Sequence, residues 1–390
     1  MFTYILVISS QFVKSYFSKY YTFVHYFCFV YFTKHFKRFE MKNQKNKYHG
    51  RGISENPSGR FEKYSVEWDQ QWTDEEQAPK TQYITDRSQT IITYNSSPDV
   101  GFGASINPYR GCEHGCAYCY ARPTHEYFGY SIGTDFETKI LVKVNAPHLL
   151  RKELASPKWK PQPLAISGVT DPYQPIERRL KIIRQCLEIL VQFRNPVIIV
   201  TKNHLVTRDL DLLRQLADYK AAKVYLSITT LNKALSRKME PRTSIPARRL
   251  EAIETLSNAG VPTGVLVAPI IPALTDHETF AIIKSAKDAG AAFASYIVLR
   301  LPFGLKSIFE AWLTENYPDK KSKVLNRIKE IRGGALYDSR FEKRMVGDGI
   351  FAEQVSKFFR TACRKAGLNH KDFSLSTKNF VRSGQMNLAF

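Results

Sequence analysis

Three cysteines within eight positions are the residues of this chain best placed to do chemistry. They sit in Asn107-Pro108-Tyr109-Arg110-Gly111-Cys112-Glu113-His114-Gly115-Cys116-Ala117-Tyr118-Cys119-Tyr120, with the spacing C-x3-C-x2-C. Three thiols this close are not ordinary core cysteines. Gly111 and Gly115 let the backbone bend tightly around one centre. Thiolates bind zinc or iron–sulfur clusters. A structural zinc site wants four protein ligands. His114 is at hand, but it lies between two of the cysteines and competes with them for space. Cys186, mid-helix beside Leu187, and the isolated Cys363 read as packing residues, so no fourth sulfur is evident. Three ligands and an open fourth position imply chemistry at the metal. Six cysteines in 390 residues do not make a disulfide framework, and clustered free thiols suit a reducing cytosol.

The loop must be held by a scaffold, and the pattern from Gly101 onward supplies one. Short apolar runs alternate with helical spacing. Strands are expected at Ala104 to Asn107, Leu164 to Ser167, Pro196 to Val200, Val224 to Ile228, Thr263 to Val267 and Ala294 to Leu299. Between them, helices are expected from Arg178 to Phe193, around Leu210, Leu213 and Leu216 with Thr207 as N-cap, from Ile245 to Ala259 and from Thr275 to Ala289. Gly260 and Gly290 stop the last two. The strands are continuously apolar rather than alternating, which argues for a parallel sheet covered by helices. The predicted fold class is α/β, a partial (β/α)6 barrel over 101–302. A doubly wound sheet shares the same element order. Residues 41–100 read as a polar N-terminal arm with a turn at Asn56-Pro57-Ser58-Gly59. Residues 303–390 read as a C-terminal helical extension containing Arg332-Gly333-Gly334.

With the cysteine loop following a first strand and opening a βα series, and with an aromatic at Tyr118, the chain resembles the radical S-adenosylmethionine (SAM) superfamily. Asn107-Pro-Tyr-Arg-Gly-Cys112 and Ser167-Gly-Val-Thr-Asp-Pro-Tyr-Gln-Pro-Ile-Glu177 are similar to its spore photoproduct lyase-like branch, also called DNA repair photolyase-like. Within that branch, Thr201-Lys-Asn-His-Leu-Val-Thr-Arg-Asp209, Met239-Glu-Pro-Arg242 and Arg332-Gly-Gly334 resemble an uncharacterised bacterial subgroup. The likeness runs over roughly 48–384 and does not reach 1–40.

The resemblance implies that Cys112, Cys116 and Cys119 hold a [4Fe–4S] cluster whose unique iron binds the amino and carboxylate groups of SAM. It implies reductive cleavage of SAM to a 5′-deoxyadenosyl radical, with electrons from an external donor such as flavodoxin or ferredoxin. By position, Thr170 and Asp171 meet the SAM amino group, Lys202 its carboxylate and Ser227 its ribose, while Tyr118 lies near the adenine. Ala268 and Pro269 are candidates for the adenine pocket, and Asn203 and His204 for the substrate cavity. Each has a plain structural alternative: Asp171-Pro172 starting a turn, Lys202 capping towards solvent, His204 packing. One departure matters. The lyase uses a cysteine hydrogen donor near the end of its second strand, where this chain has Ser167-Gly168-Val169. Lyase activity on thymine dimers is therefore not expected, and Tyr173 is the tyrosine considered as a substitute donor.

Charge bears on the substrate. The chain carries 57 Lys+Arg against 36 Asp+Glu, a net +21. The first forty residues hold five of the basic residues and one of the acidic ones, which leaves +17 beyond them. Such an excess suits a nucleic-acid substrate. The basic clusters are Arg178-Arg179-Leu-Lys181, Arg248-Arg249 and Lys320-Lys321-Ser-Lys323, and their plain reading is solvated helix faces. The rival reading of the whole chain is a non-catalytic, nucleic-acid-binding protein stabilised by zinc on the three cysteines and His114. Fifteen of the first forty residues are Phe or Tyr. That stretch is read as an extension outside the working protein, with Met41 as the natural start. Its apolar run from Tyr20 to Phe32 is shorter than the roughly 20 residues a membrane span needs. A cytoplasmic monomer without membrane attachment is expected for 41–390.

Overall fold

The computed structural model describes residues 51–61, 80–166 and 168–382. The aromatic-rich opening with Cys28, part of the polar arm, and Ser167 lie outside the described residues.

Ten strands are described, in chain order: β1 (Gln82–Thr85), β2 (Ile92–Tyr94), β3 (Ala104–Ile106), β4 (Tyr109–Arg110), β5 (Lys139–Val142), β6 (Leu164–Ile166), β7 (Val197–Thr201), β8 (Ala222–Ser227), β9 (Thr263–Ile270) and β10 (Phe293–Val298). Six of them, in the order β10-β9-β8-β7-β6-β3, pair in parallel, and β2 closes the β3 edge antiparallel. The sheet is the partial barrel predicted from the alternating pattern. Its strands are apolar on both faces because helices cover one and the barrel interior the other. Ile106, Ile166, Ile199, Val224, Leu226, Val265 and Val267 are all buried. Gly264 lies where a Cβ would come 2.0 Å from the Phe293 ring, so β9 and β10 approach closely only because that side chain is missing.

A second sheet, β1-β5-β4, had no sequence signal strong enough to name it. β1 pairs in parallel with β5, and β4 antiparallel to it. This sheet brings the arm alongside the cysteine loop.

Local details depart from expectation for identifiable reasons. The helix expected from Arg178 to Phe193 is two, Glu177–Leu180 and Ile182–Phe193. Lys181 breaks it with a left-handed φ of 53°. Thr207 is not the N-cap of the next helix: a 3-10 turn over His204–Asp209 precedes Leu210–Asp218, and Asn203 caps that turn by accepting from Leu205 N. Thr275 to Ala289 likewise splits into a 3-10 turn over Asp276–Glu278 and a helix over Thr279–Asp288. The segment after β10 carries helices Leu305–Asn316, Pro318–Glu330, Lys343–Val346 and Ile350–Ala366. Among the described residues no helix is long and apolar enough to cross a membrane.

Candidate active site at the strand ends

β3 ends at Ile106, and the chain passes through β4 into the cysteine loop at the carboxyl end of the sheet. Gly111 and Gly115 take φ values of 78° and 65°, as the tight loop requires. The loop is gripped on every side. Cys112 N donates to Phe136 O at 2.9 Å and Ala117 N to Met239 O at 3.0 Å. The fully buried Arg122 donates to Cys116 O from Nε and Nη2, at 3.0 and 2.9 Å, and pairs with the equally buried Glu137. Glu137 Oε2 also accepts from Arg51 N at 2.7 Å. The next arm residue, Gly52, packs on Gly115 so closely that a Cβ would stand 1.7 Å from its carbonyl oxygen. Glu113, between the first two cysteine positions, accepts from Tyr83 of β1, Thr81, Ile176 N and Arg242.

All three loop cysteines are free thiols, two buried and Cys119 partly so. Burial, and then the charge of Glu240, push the Cys116 thiol well above its ordinary value, and the other two thiols add in the same direction. Burial and Cys112 bring Cys119 to about 11. Three soft sulfurs presented together from one cradled loop fit an iron–sulfur cluster.

His114, the other candidate ligand of the loop, is held by two polar side chains. Asn203 Oδ1 accepts from Leu205 N at 3.0 Å and Ser244 Oγ at 3.2 Å, so its Nδ2 donates to His114 Nε2 at 3.2 Å. His114 Nδ1 faces Asp171 Oδ2 at 3.5 Å. The ring nitrogens thus face Asn203 and Asp171, and the Cys112 thiol also lies within hydrogen-bond reach of the ring. Among the described residues no three His, Cys, Asp or Glu side chains close around a single ion position.

The other predicted site residues gather at the same end. Lys202, just past β7, donates from Nζ to Ser227 Oγ at 2.5 Å and Ala268 O at 3.0 Å. It lies 5.8 Å from the Tyr118 ring centre and 3.7 Å from Glu240. Ser227 also donates to Ala268 O at 3.0 Å. Tyr118 is buried, its hydroxyl on Glu240 and 3.1 Å from Thr229 Oγ1. Thr170 donates to Tyr109 O at 2.9 Å. The Asp171 carboxylate is densely occupied: Oδ1 accepts from Thr201 Oγ1 at 2.7 Å and Tyr173 N at 2.9 Å, and Oδ2 from Lys202 N at 2.7 Å. It ties the ends of β6 and β7 together and closes the turn at Pro172. Pro269 follows a cis peptide bond.

Tyr173 is fully buried with its hydroxyl on Asp209 at 3.1 Å. One expectation fails here. Arg249 is not part of a surface basic cluster. It is fully buried, pairing with Glu240 and donating to Ser227 O at 2.8 Å. His204 stays half-buried, with its amide on Ser244 Oγ at 2.8 Å and its ring near Glu251.

Glu240 is the residue that composition and spacing missed. One carboxylate joins Tyr118, Thr229, Lys202 and Arg249, and Arg249 and Lys202 overcome its burial to hold it down at about 2. The only sequence signal was its place in Met239-Glu-Pro-Arg242, whose Arg242 also grips the cysteine loop.

A profile described as "Radical SAM superfamily" matches residues 106–286. An uncharacterized protein of Mycobacterium tuberculosis is 36% identical over 232 residues, 59% of this chain and 67% of that one. Another, from Methanocaldococcus jannaschii, is 31% identical over 57% of this chain and 79% of its own length. The chain belongs to the radical SAM superfamily. A spore photoproduct lyase complexed with dinucleoside spore photoproduct has a similar fold, with a TM-score of 0.54 at 18% identity, covering 73% of this chain and 79% of that one. Membership in this superfamily implies a [4Fe–4S] cluster and SAM, and the cradled thiols fit the first of these.

Proposed function

We propose that this chain is an enzyme that uses a [4Fe–4S] cluster on Cys112, Cys116 and Cys119, with SAM, to begin radical chemistry on a substrate at the mouth of the barrel. The observation that carries the reading is the convergence of three free thiols and the Lys202 ammonium at the carboxyl ends of the strands. When bound, cluster and SAM together supply a carbon-centred radical able to remove a hydrogen atom from the substrate. The chain's own residues bind and orient. Lys202, fixed by Ser227 and the Ala268 carbonyl, offers its charge to the SAM carboxylate. Ser227 is assigned to the ribose and Tyr118 to the adenine side. Asp171 and Thr170 act as positioning residues: their polar atoms hold the Lys202 amide, the Thr201 hydroxyl and the Tyr109 carbonyl. Asn203 and Asp171 orient the His114 ring.

An external one-electron donor such as a flavodoxin or ferredoxin, a cytoplasmic setting and a monomeric state complete the reading. A nucleic-acid substrate is its further part. Arg178, Arg179, Lys181, Lys320 and Lys323 are exposed, which leaves much of the basic excess on the surface.

The test is anaerobic reconstitution followed by reduction in the presence of SAM. About four iron per chain and release of 5′-deoxyadenosine are expected. Cys116→Ala should lose both. Lys202→Met should keep the iron and lose at least about 10-fold in cleavage, the magnitude of a hydrogen bond to a charged group. A colourless zinc protein that leaves SAM intact sinks the proposal.

A further inference from the structure

Among the described residues the buried arginines are paired with carboxylates, except Arg332, which lies beside a half-buried and likewise unpaired Arg300 at the mouth of the barrel. Arg122 has Glu137, and Arg249 has Glu240. Arg300, two residues past β10, and Arg332 of the Arg-Gly-Gly turn have no ion pair among the described residues. Arg332 is 2% exposed and donates to Leu299 O at 2.8 Å and Lys343 O at 2.7 Å, which fixes it behind the end of β10. Among the described residues the one hydrogen-bond acceptor of Arg300 is the thioether of Met345, at 3.4 Å, and sulfur is a weak acceptor. The Nε atoms of both arginines are buried, with no hydrogen-bond partner among the described residues. Burial and the neighbouring Arg300 hold Arg332 down to about 10.

The nearby carboxylates Asp99 and Asp338 act on these two charges only at a distance, without an ion pair. Asp99 is committed to Arg344 and to Glu342 N. Asp338 is committed to Arg340 at 2.6 Å. A buried cation with no ion pair is costly, and a half-buried one beside it adds to the cost.

Position gives the pair its meaning. The Arg300 guanidinium lies 5.2 Å from the centre of the Tyr120 ring. Tyr120 follows Cys119, donates its hydroxyl to Gly168 O at 2.9 Å and is 45% exposed. One aromatic side chain thus connects the cysteine loop, the end of β6 and the unpaired arginine. A guanidinium stacked on an aromatic face keeps its donor edge free in a fixed plane, the geometry that matches an oxyanion.

We infer that Arg300, stacked on Tyr120 and backed by Arg332, is an oxyanion-binding subsite of the substrate cavity that takes a phosphate or carboxylate group of the substrate. The inference rests on the strand-end mouth being the active site, as proposed above. It requires the bound oxyanion to supply in direct contact the negative charge that Asp99 and Asp338 supply only at a distance.

The test is calorimetric titration of the full-length, cluster-loaded protein under anaerobic conditions with thymidine 5′-monophosphate, thymidine and succinate. Binding of the nucleotide without binding of the nucleoside identifies phosphate as the group. Binding of succinate in preference identifies carboxylate. In either case Arg300→Gln should weaken oxyanion binding by at least about 10-fold, since a hydrogen bond to a charged partner is lost. Arg300→Lys, which keeps the charge without the fork, should fall between. Arg360→Gln, which removes the same charge from the exposed face of Ile350–Ala366, should bind as the wild type does. Iron content and melting temperature show whether each variant is folded, and Arg300→Lys serves if the glutamine variant is not. Equal binding by wild type and folded Arg300 variants, or binding of neither oxyanion by wild type, overturns the inference. Oxyanion binding through Arg300 in a protein that does not cleave SAM would refute the proposed function while leaving the subsite in place.

Discussion

Glu240 brings a negative charge into a buried position and holds four groups there. The Arg249 guanidinium is its counter-charge, and both are fully buried. Removing one partner of such a pair leaves the other unbalanced, typically at a cost of about 3–5 kcal/mol. Glu240→Gln should therefore lower the urea unfolding free energy by about 3 kcal/mol, and Glu240→Gln with Arg249→Met should recover part of it. A single variant as stable as wild type would mean that Arg249 has another partner. His125 supplies a pH dependence. It is buried beneath Gly111 against Phe136, and burial lowers it from 6.5 to about 4 although Lys139 O engages its Nε2. The folded state resists protonation, so the contribution is complete above pH 6.5 and is lost as pH falls towards 4. The expected loss is roughly 3 kcal/mol. Urea titrations across that window should show a flatter profile for His125→Gln than for wild type. An unchanged slope would assign the acid sensitivity elsewhere.

The strands of the barrel could be read from sequence because each is a short continuous run of Val, Ile and Leu between helical periods. The second sheet could not. Gln82–Thr85 is largely exposed and Tyr109–Arg110 is two residues long, so neither carries a hydrophobic pattern. The cysteines and Lys202 were legible because their residue types carry chemistry in themselves. The buried pairs Arg122–Glu137 and Arg249–Glu240 were not, because a charged residue in sequence reads as surface until the fold encloses it. Gly52 belongs to the same class. In sequence it is a glycine in a polar arm. In the structure it allows the arm to lie directly on Gly115, and Gly52→Ala should force them apart. Purified under identical anaerobic conditions, that variant should carry less iron while the melting temperature changes little, since the barrel itself is untouched. Full iron occupancy would show that the arm contributes nothing to holding the cysteine loop.

At the scale of the whole molecule the question is what the positive charge meets. If the exposed arginines contact a phosphate backbone, the logarithm of the binding constant for single-stranded DNA should fall linearly with the logarithm of salt concentration. The expected slope is about −0.7 per phosphate neutralised on a single strand. Replacing Arg178 and Arg179 together by Gln should reduce that slope by about 1.4, the share of two phosphates. A slope near zero would remove nucleic acid as the substrate.

The pairing of β1 with β5 also sets a schedule. Gln82 meets Lys139, so the arm strand cannot dock until the chain has grown through the cysteine loop and beyond it. The last of the three thiols is made at Cys119, and at about 5–20 residues per second the roughly 20 residues from there to Lys139 take about 1–4 seconds to emerge from the ribosome. During that interval the thiols are made but not yet covered. The interval is when a cluster-delivery system would find them most open, and also when oxidants would. Growth conditions that slow translation should therefore change how much of the protein is recovered with its metal.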